Sequence, residues 1–228
     1  MVPFAPMERS AQELVGETDV EALSAGDVLD AALERLPAIA LACSFQKEES
    51  VLIDMLLERQ PGAHIFTLDT HVLFPESYAL WRELEQRYGI RIEVYEGPSL
   101  GRQAAIHGEA LWERNPDLCC SIRKIAPLAE ALSGLDGWIT GVRRDQAPSR
   151  AGTPKLGWDD RHELWKASPL ADWTDDDVWA YVRERDLPVN PLHDRGYASI
   201  GCTHCTAPGA GRDGRWVGTG KTECGLHA

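Results

Sequence analysis

Six cysteines are the residues here best suited to chemistry, and five of them fall into a pattern. Cys119 and Cys120 are adjacent, Cys202 and Cys205 flank Thr203-His204, and Cys224 stands near the C-terminal end. Two pairs so distant in sequence close one site only if the fold brings them together. A tetrahedral zinc usually takes thiolates separated by two to four residues, because the chain needs a turn to present two sulfurs to one ion. Adjacent cysteines do that badly, whereas a cluster of several irons lets each thiolate find its own iron. A [4Fe–4S] cluster held by Cys119, Cys120, Cys202 and Cys205 is therefore preferred over a zinc knuckle or unrelated thiols.

Cys224 lies in Lys221-Thr222-Glu223-Cys224-Gly225-Leu226-His227. A free thiol with a pKa near ~8.5 is only a few per cent thiolate at neutral pH, so a working nucleophile needs cations or donors nearby. Lys221 and His227 are the local candidates. Eighteen residues separate Cys205 from Cys224, five of them glycine, and at up to ~3.3 Å per residue this tether gives the thiol reach across a small domain. The competing reading is an incidental cysteine on a frayed end. A further chemical feature is the segment 140–150, where Arg143, Arg144 and Arg150 against Asp145 give a net charge of +2. Guanidinium forks match phosphate and sulfate oxygens in pairs; the alternative is a solvated loop.

These groups need a scaffold. Apolar, β-rich runs at 38–43, 63–68, 91–95 and 138–142 alternate with helical patterns at 48–60, 76–88 and about 122–132. Strands alternating with helices imply parallel crossovers, hence an α/β fold with a mostly parallel sheet and helices on both faces. Such sheets bind ligands at the carboxyl ends of their strands, so the segments after Cys43, Leu68 and Val142 should converge on one crevice. Regular patterning stops after Leu187. The chain reads as a domain over 1–205 carrying the metal site and an irregular, flexible, glycine-rich tail over 206–228 carrying Cys224.

Composition bounds the function. The 228 residues carry 23 basic and 36 acidic side chains, a formal charge of −13, with 43% hydrophobic residues. A chain this long buries a core without covalent staples. The acid excess argues against a nucleic-acid or membrane-surface binder, so an anionic substrate would need a local basic patch such as 143–150. The first residues show no cationic start with an apolar run of ~7–15 residues, and no stretch approaches ~18 unbroken apolar residues. The cytoplasm is the expected compartment, and its reducing conditions favour metal-binding or reactive thiols over disulfides.

Several signals are discounted. Gly209-Ala210-Gly211-Arg212-Asp213-Gly214 spells a dinucleotide fingerprint, but no strand precedes it and no helix has room to follow. His107-Gly108-Glu109 with Cys202 and Cys205 resembles the zinc-deaminase elements yet leaves Cys119 and Cys120 unexplained. Asp175-Asp176-Asp177 after Thr174 reads as a helix start with a capping box. Cys43, within an apolar strand, reads as a small buried hydrophobe.

Three segments in order, CCSIRKIAPL (119–128), GCTHCT (201–206) and KTECGLH (221–227), resemble the signature of the assimilatory sulfonucleotide reductases, specifically the iron–sulfur adenylylsulfate (APS) reductases. The resemblance runs from about Leu41 to the C-terminal end. It implies a fold like the adenine-nucleotide-binding ATP pyrophosphatases and a thioredoxin- or glutaredoxin-dependent reduction of APS to sulfite and AMP through a thiosulfonate on Cys224. 3′-Phosphoadenylylsulfate (PAPS), or both nucleotides, is the alternative substrate, and a zinc-stapled non-catalytic nucleotide-binding module the alternative class. A homo-oligomer is expected.

The same resemblance implies the substrate-binding residues. The pyrophosphatases' glycine-rich turn corresponds to Ser44-Phe45-Gln46-Lys47-Glu48-Glu49-Ser50, which lacks glycine, although amides at the following helix start can still receive an anion or nucleotide; Ser44, Phe45 and Gln46 are its expected binding residues. Asp69 and Thr70 match the family's second strand end, with His71 in place of a glycine. Arg143, Arg144, Gln146 and Arg150 lie in its arginine loop, with Ala147 where serine is expected. Arg212 and Arg215 match its R-x-G-R-W segment, Lys124 matches a lysine between cluster and substrate, and His227 completes the set.

Overall fold

The computed structural model describes residues 10–227; the start of the chain, read for a leader peptide, lies outside them up to residue 9. Among the described residues no helix is long and apolar enough to cross a membrane. Six strands form one sheet: β1 (Ile39–Cys43), β2 (His64–Asp69), β3 (Glu93–Glu96), β4 (Gly137–Ile139), β5 (Leu156–Asp159) and β6 (Leu164–Ala167). Their order is β3-β2-β1-β4-β6-β5, parallel except for β5, which runs antiparallel to β6 at one edge.

Period-two alternation sorts the strand residues between two faces. Leu41, Ile65 and Ile139 enter the larger core, and Ala40, Phe66, Trp138 and Leu164 enter the smaller one. The helices are α1 (Ala11–Val15), α2 (Ala25–Arg35), α3 (Lys47–Arg59), α4 (Pro75–Tyr88), α5 (Leu100–His107), α6 (Leu111–Arg114), α7 (Pro116–Cys120), α8 (Ala126–Leu132) and α9 (Asp175–Glu184). α3 is buried from Lys47 to Leu57 and underlies the larger core. α8 covers the other face with Leu128, Ala131 and Leu132. Leu226 packs against this smaller core, and the His227 ring stacks on the Trp138 indole, centroids 5.4 Å apart.

The helix ends follow their sequence signals. Ser24 and Asp27 form a capping box on α2, Thr174 and Asp177 another on α9, and Pro75 opens α4 while Gly89 closes it in the left-handed region. The fourth strand is shorter than its apolar run. After Ile139 the Thr140 amide still donates to Ala167, but the Val142 amide turns to the Thr140 hydroxyl (3.2 Å) and the chain leaves the ladder. The β5–β6 hairpin has no counterpart in the sequence reading, because Trp158 and Trp165 sit among charges that blur a period of two.

The two turns that lack a glycine adopt the conformation a glycine would favour. Phe45 has φ 60° and His71 φ 58°, positions that cost a side-chain-bearing residue on the order of 1–2 kcal/mol. Tertiary contacts offset this. The fully buried Phe45 ring stacks on Trp81 at 5.3 Å, and the His71 amide donates to Asp69 Oδ1 at 2.7 Å.

Candidate active site and thiol cavity

A cleft partly open to solvent lies at the carboxyl ends of β1, β2 and β4, where the segments after Cys43, Leu68 and Val142 converge. Ser44, Phe45 and Gln46 form the wall after β1 and Thr70 the wall after β2. Gln146 and Arg150 follow β4, Lys124 reaches in from the segment after α7, and Arg212, Arg215, Cys224 and His227 close the cleft from the tail. The structure thus brings together eleven of the fourteen expected substrate-site and catalytic residues.

Asp69, Arg143 and Arg144 lie outside it. Asp69 Oδ1 accepts from the Tyr78 hydroxyl as well as the His71 amide, both at 2.7 Å, and shapes the turn instead of lining the cleft. Arg143 is consumed by carboxylates: Nη2 lies 2.9 Å from Glu48 and 3.0 Å from Asp175, and Nη1 pairs with Asp145. Arg144 pairs with Glu21 and donates to the Thr153 carbonyl. A count of charges along the sequence cannot show which arginines find internal partners.

Glu49 is a cleft residue the sequence reading missed. Its carboxyl accepts from the Ser44 hydroxyl at 2.9 Å and the Gln46 amide at 3.1 Å. Burial and the neighbouring Glu48 push its pKa up to about 8, against those hydrogen bonds. The floor beneath it is Gly141, where a Cβ would come within 2.6 Å of Glu49 Oε1 and 2.8 Å of Glu48 Cβ. The K-E-E run at the head of an apolar helix is the signal that could have shown it, since buried acids there need partners.

The Cys224 thiol is buried beside Cys120 and Trp216. Burial works against its thiolate, but the Lys124 ammonium, the Leu226 amide and the Arg215 and Arg212 guanidiniums outweigh it and hold the thiol below its ordinary pKa. His227 is held well below its ordinary value by burial and by Lys166, Arg150 and Arg212, so its imidazole is neutral. The cation that serves Cys224 is therefore Lys124, not the His227 suggested by proximity in sequence; Lys221 instead pairs with Asp117.

Behind Lys124 lies a second, small cavity lined by all four of Cys119, Cys120, Cys202 and Cys205. Lys124 lines both cavities. Cys119 and Cys120 end α7, after which Ser121–Ile125 widens into a π-helical turn, a deviation common at functional sites. Arg123 donates from that turn to the Thr70 and Pro98 carbonyls at 2.9 and 3.2 Å. The other pair is fastened to the loop after β2 by the Thr203 amide on the Val72 carbonyl at 2.8 Å and a bridge between Leu73 and Cys202. Cys202 Sγ lies 3.4 Å from the Thr70 hydroxyl.

The donor set fits a thiolate-bound metal group. Burial and mutual proximity push the Cys119 and Cys120 thiols up, and that of Cys205 to about 11; a bound metal would favour their thiolates. Trp112 Nε1, Trp216 Nε1 and Arg123 Nε are buried at this cavity without acceptors, the donors that a sulfur-rich anionic group would satisfy.

From Cys205 the chain doubles back: Thr206 bridges Arg215, and the Ala207 amide donates to Gly214 at 2.8 Å. A Cβ on Gly214 would lie 2.0 Å from the Ala207 carbonyl oxygen, which makes glycine obligatory at this approach. Arg215 lies across Gly201 and donates to Ser199 Oγ and the Ile200 carbonyl at 3.1 and 3.2 Å. Residues 206–227 run along the core and deliver Cys224 to the cleft.

This sheet order, with a cleft at the carboxyl ends entered by basic side chains, defines an adenine-nucleotide-binding α/β fold of the ATP-pyrophosphatase type. The chain belongs to the phosphoadenosine phosphosulfate reductase domain family, whose model matches residues 38–208. It is 50% identical over 195 residues, 83% of this chain and 84% of the relative, to the adenosine 5'-phosphosulfate reductase of Lysinibacillus sphaericus (strain C3-41). The crystal structure of the phosphoadenylyl-sulfate (PAPS) reductase from Candida auris, a phosphate complex, superposes with a TM-score of 0.74 at 30% identity, covering 83% of this chain and 93% of that one. The Candida glabrata FMN adenylyltransferase with FMN and an ATP analogue shares the fold alone, with a TM-score of 0.58 at 15% identity over 82% of this chain and 64% of that one.

Proposed function

We propose that this protein is an adenylylsulfate reductase of sulfate assimilation, working in the cytoplasm as a homo-oligomer. The observation that carries this reading is the buried Cys224 thiol held among Lys124, Arg212 and Arg215 in the cleft at the carboxyl ends of β1, β2 and β4. The Cys224 thiolate attacks the sulfur of the APS sulfate group. An S–S bond forms, the S–O bond to the phosphate breaks, and AMP leaves with the electron pair, so that Cys224 carries a thiosulfonate.

Lys124, Arg212 and Arg215 stabilise the charge that moves onto the leaving phosphate, a preorganised electrostatic role. Arg150, Ser44, Phe45, Gln46, Thr70, Gln146 and His227 hold the nucleotide. A dithiol protein, thioredoxin or glutaredoxin, then attacks Cys224 Sγ; sulfite departs, a mixed disulfide forms, and the second thiol of the dithiol resolves it. Sulfur(VI) becomes sulfur(IV), and the two electrons come from the dithiol.

Cys119, Cys120, Cys202 and Cys205 would hold a [4Fe–4S] cluster, which when bound supplies structural closure and a fixed charge beside Lys124. The nucleophile, the leaving group and both electrons are accounted for by this chain, APS and the dithiol. Purified protein exposed to APS without reductant should gain the mass of one sulfite on Cys224, and Cys224→Ser should gain none. Sulfite formation by Cys224→Ser would overturn the mechanism, and side-by-side turnover of APS and PAPS assigns the nucleotide.

A further inference from the structure

Glu223 adjoins the nucleophile, and its carboxylate meets two arginines at once. Oε1 accepts from Arg150 Nε at 3.0 Å and from Ser149 Oγ at 3.3 Å, and Oε2 accepts from Arg150 Nη2 at 3.1 Å and Arg212 Nη2 at 2.8 Å. Arg150 belongs to the loop after β4, whereas Arg212 belongs to the tail. Side-chain exposures of 15%, 10% and 12% for Glu223, Arg150 and Arg212 make this a largely desolvated, two-point clasp, the geometry in which a carboxylate–guanidinium pair is strong. Among the described residues of 206–227, Glu223 is the one acid in an ion pair.

The clasp continues inward. Arg150 Nη1 donates to Gln146 Oε1 at 2.5 Å, and Gln146 Nε2 donates to Glu48 Oε1 at 3.2 Å, so a chain of hydrogen bonds runs from the tail to the central helix α3. Upstream, Arg215 also ties the tail to Ser199 and the Ile200 carbonyl, so the clasp governs the segment after Trp216, where two other polar contacts lie. Lys221 meets Asp117, a side chain 80% exposed, and pairs with one side in water contribute little. Arg161 donates to the Gly225 carbonyl.

We infer that Glu223 is a positioning residue for the reaction: its carboxylate docks the tail and so sets how much of the time Cys224 occupies the cleft. This rests on Cys224 being the nucleophile. The two halves of that reaction make opposite demands on the tail, which must be docked for attack on the nucleotide and undocked for the sulfur to meet a protein dithiol. An ion pair between tail and core lets one chain satisfy both.

The test compares the parent protein with Glu223→Gln and Glu223→Asp by two measurements. One is alkylation of Cys224 by iodoacetamide at fixed pH, followed by peptide mass; the other is single-turnover adduct formation with APS and no reductant. Glu223→Gln keeps the shape and loses the charge. Its Cys224 should alkylate about tenfold or more faster, the range set by one lost hydrogen bond to a charged group, and form adduct about tenfold more slowly. Release of sulfite from preformed adduct by a dithiol should be at least as fast as in the parent.

Glu223→Asp keeps the charge but shortens the arm and should fall between; it serves alone if the glutamine variant does not fold. Alkylation and adduct rates equal to the parent in both variants would overturn the clasp. A parent protein that alkylates on Cys224 yet forms no adduct with APS would overturn the reductase reading, while the alkylation contrast would still decide the role of Glu223.

Discussion

Arg143 and Glu48 form an ion pair inside the protein, Nη2 to Oε1 at 2.9 Å, with side chains only 4% and 5% exposed. Removing one partner of such a pair strands a buried charge. Arg143→Met should therefore cost about 3–5 kcal/mol of unfolding free energy in denaturant titration. Arg144→Met, which releases the more exposed Glu21, should stay within about 1 kcal/mol. Near-equal losses would return Arg143 to the cleft.

Glu49 should make nucleotide binding pH-dependent. Its pKa is raised to about 8 by burial and by Glu48, so below that pH the cleft holds a neutral carboxyl and above it an additional negative charge. AMP, itself anionic, should bind more weakly as the pH passes 8, and Glu49→Gln should flatten the profile; calorimetric titration across that range reads both. Stability carries the same sign. Between the ordinary carboxylate range and pH 8 the unfolded chain ionises while the folded one holds its proton, so this group subtracts stability as pH rises through that window.

Gly141 lies under the two acids at the mouth of the cleft. An added methyl would meet Glu49 Oε1 at 2.6 Å and Glu48 Cβ at 2.8 Å, and α3 is buried too thoroughly to move aside. Gly141→Ala should cost about 1–3 kcal/mol and weaken AMP binding alongside, whereas Gly152→Ala, with nothing within 4 Å, should do neither. Thermal unfolding with and without AMP checks this.

Loss of one thiol from the four-cysteine cavity should show in both colour and stability. Cys202→Ser, at the bridge to Leu73, should purify with little iron or acid-labile sulfide. Its Tm should fall by at least about 2–4 °C, the shift produced by each ~1 kcal/mol in a domain of this size. Zinc in place of iron in the parent protein would overturn the cluster assignment.

Much of the scaffold was legible because β1 is a continuous apolar run and β2 an apolar-rich one, each followed by a helical pattern, which is how a buried parallel strand and its crossover read. The thiol pattern was legible for the same kind of reason: two adjacent sulfurs restrict the partners they can share. What escaped was whatever depends on partners far away in sequence. Glu48 claims Arg143 across 95 positions, and Glu223 claims Arg150 across 73, so the arginine loop divides between scaffold and cleft in a way no local window contains. His71 and Phe45 show the converse. A missing glycine signalled an altered turn, yet the left-handed backbone persisted because Asp69 and Trp81 hold it there.

The four-thiol cavity takes one wall from residues 119–120 and the other from residues 202–205, the latter fastened to Val72 and Leu73. During synthesis the first wall emerges from the ribosome more than eighty codons before the second. A metal carrier meeting the nascent chain would find only half a socket, so loading of the proposed cluster would have to wait until almost the whole polypeptide had been made and its sheet closed.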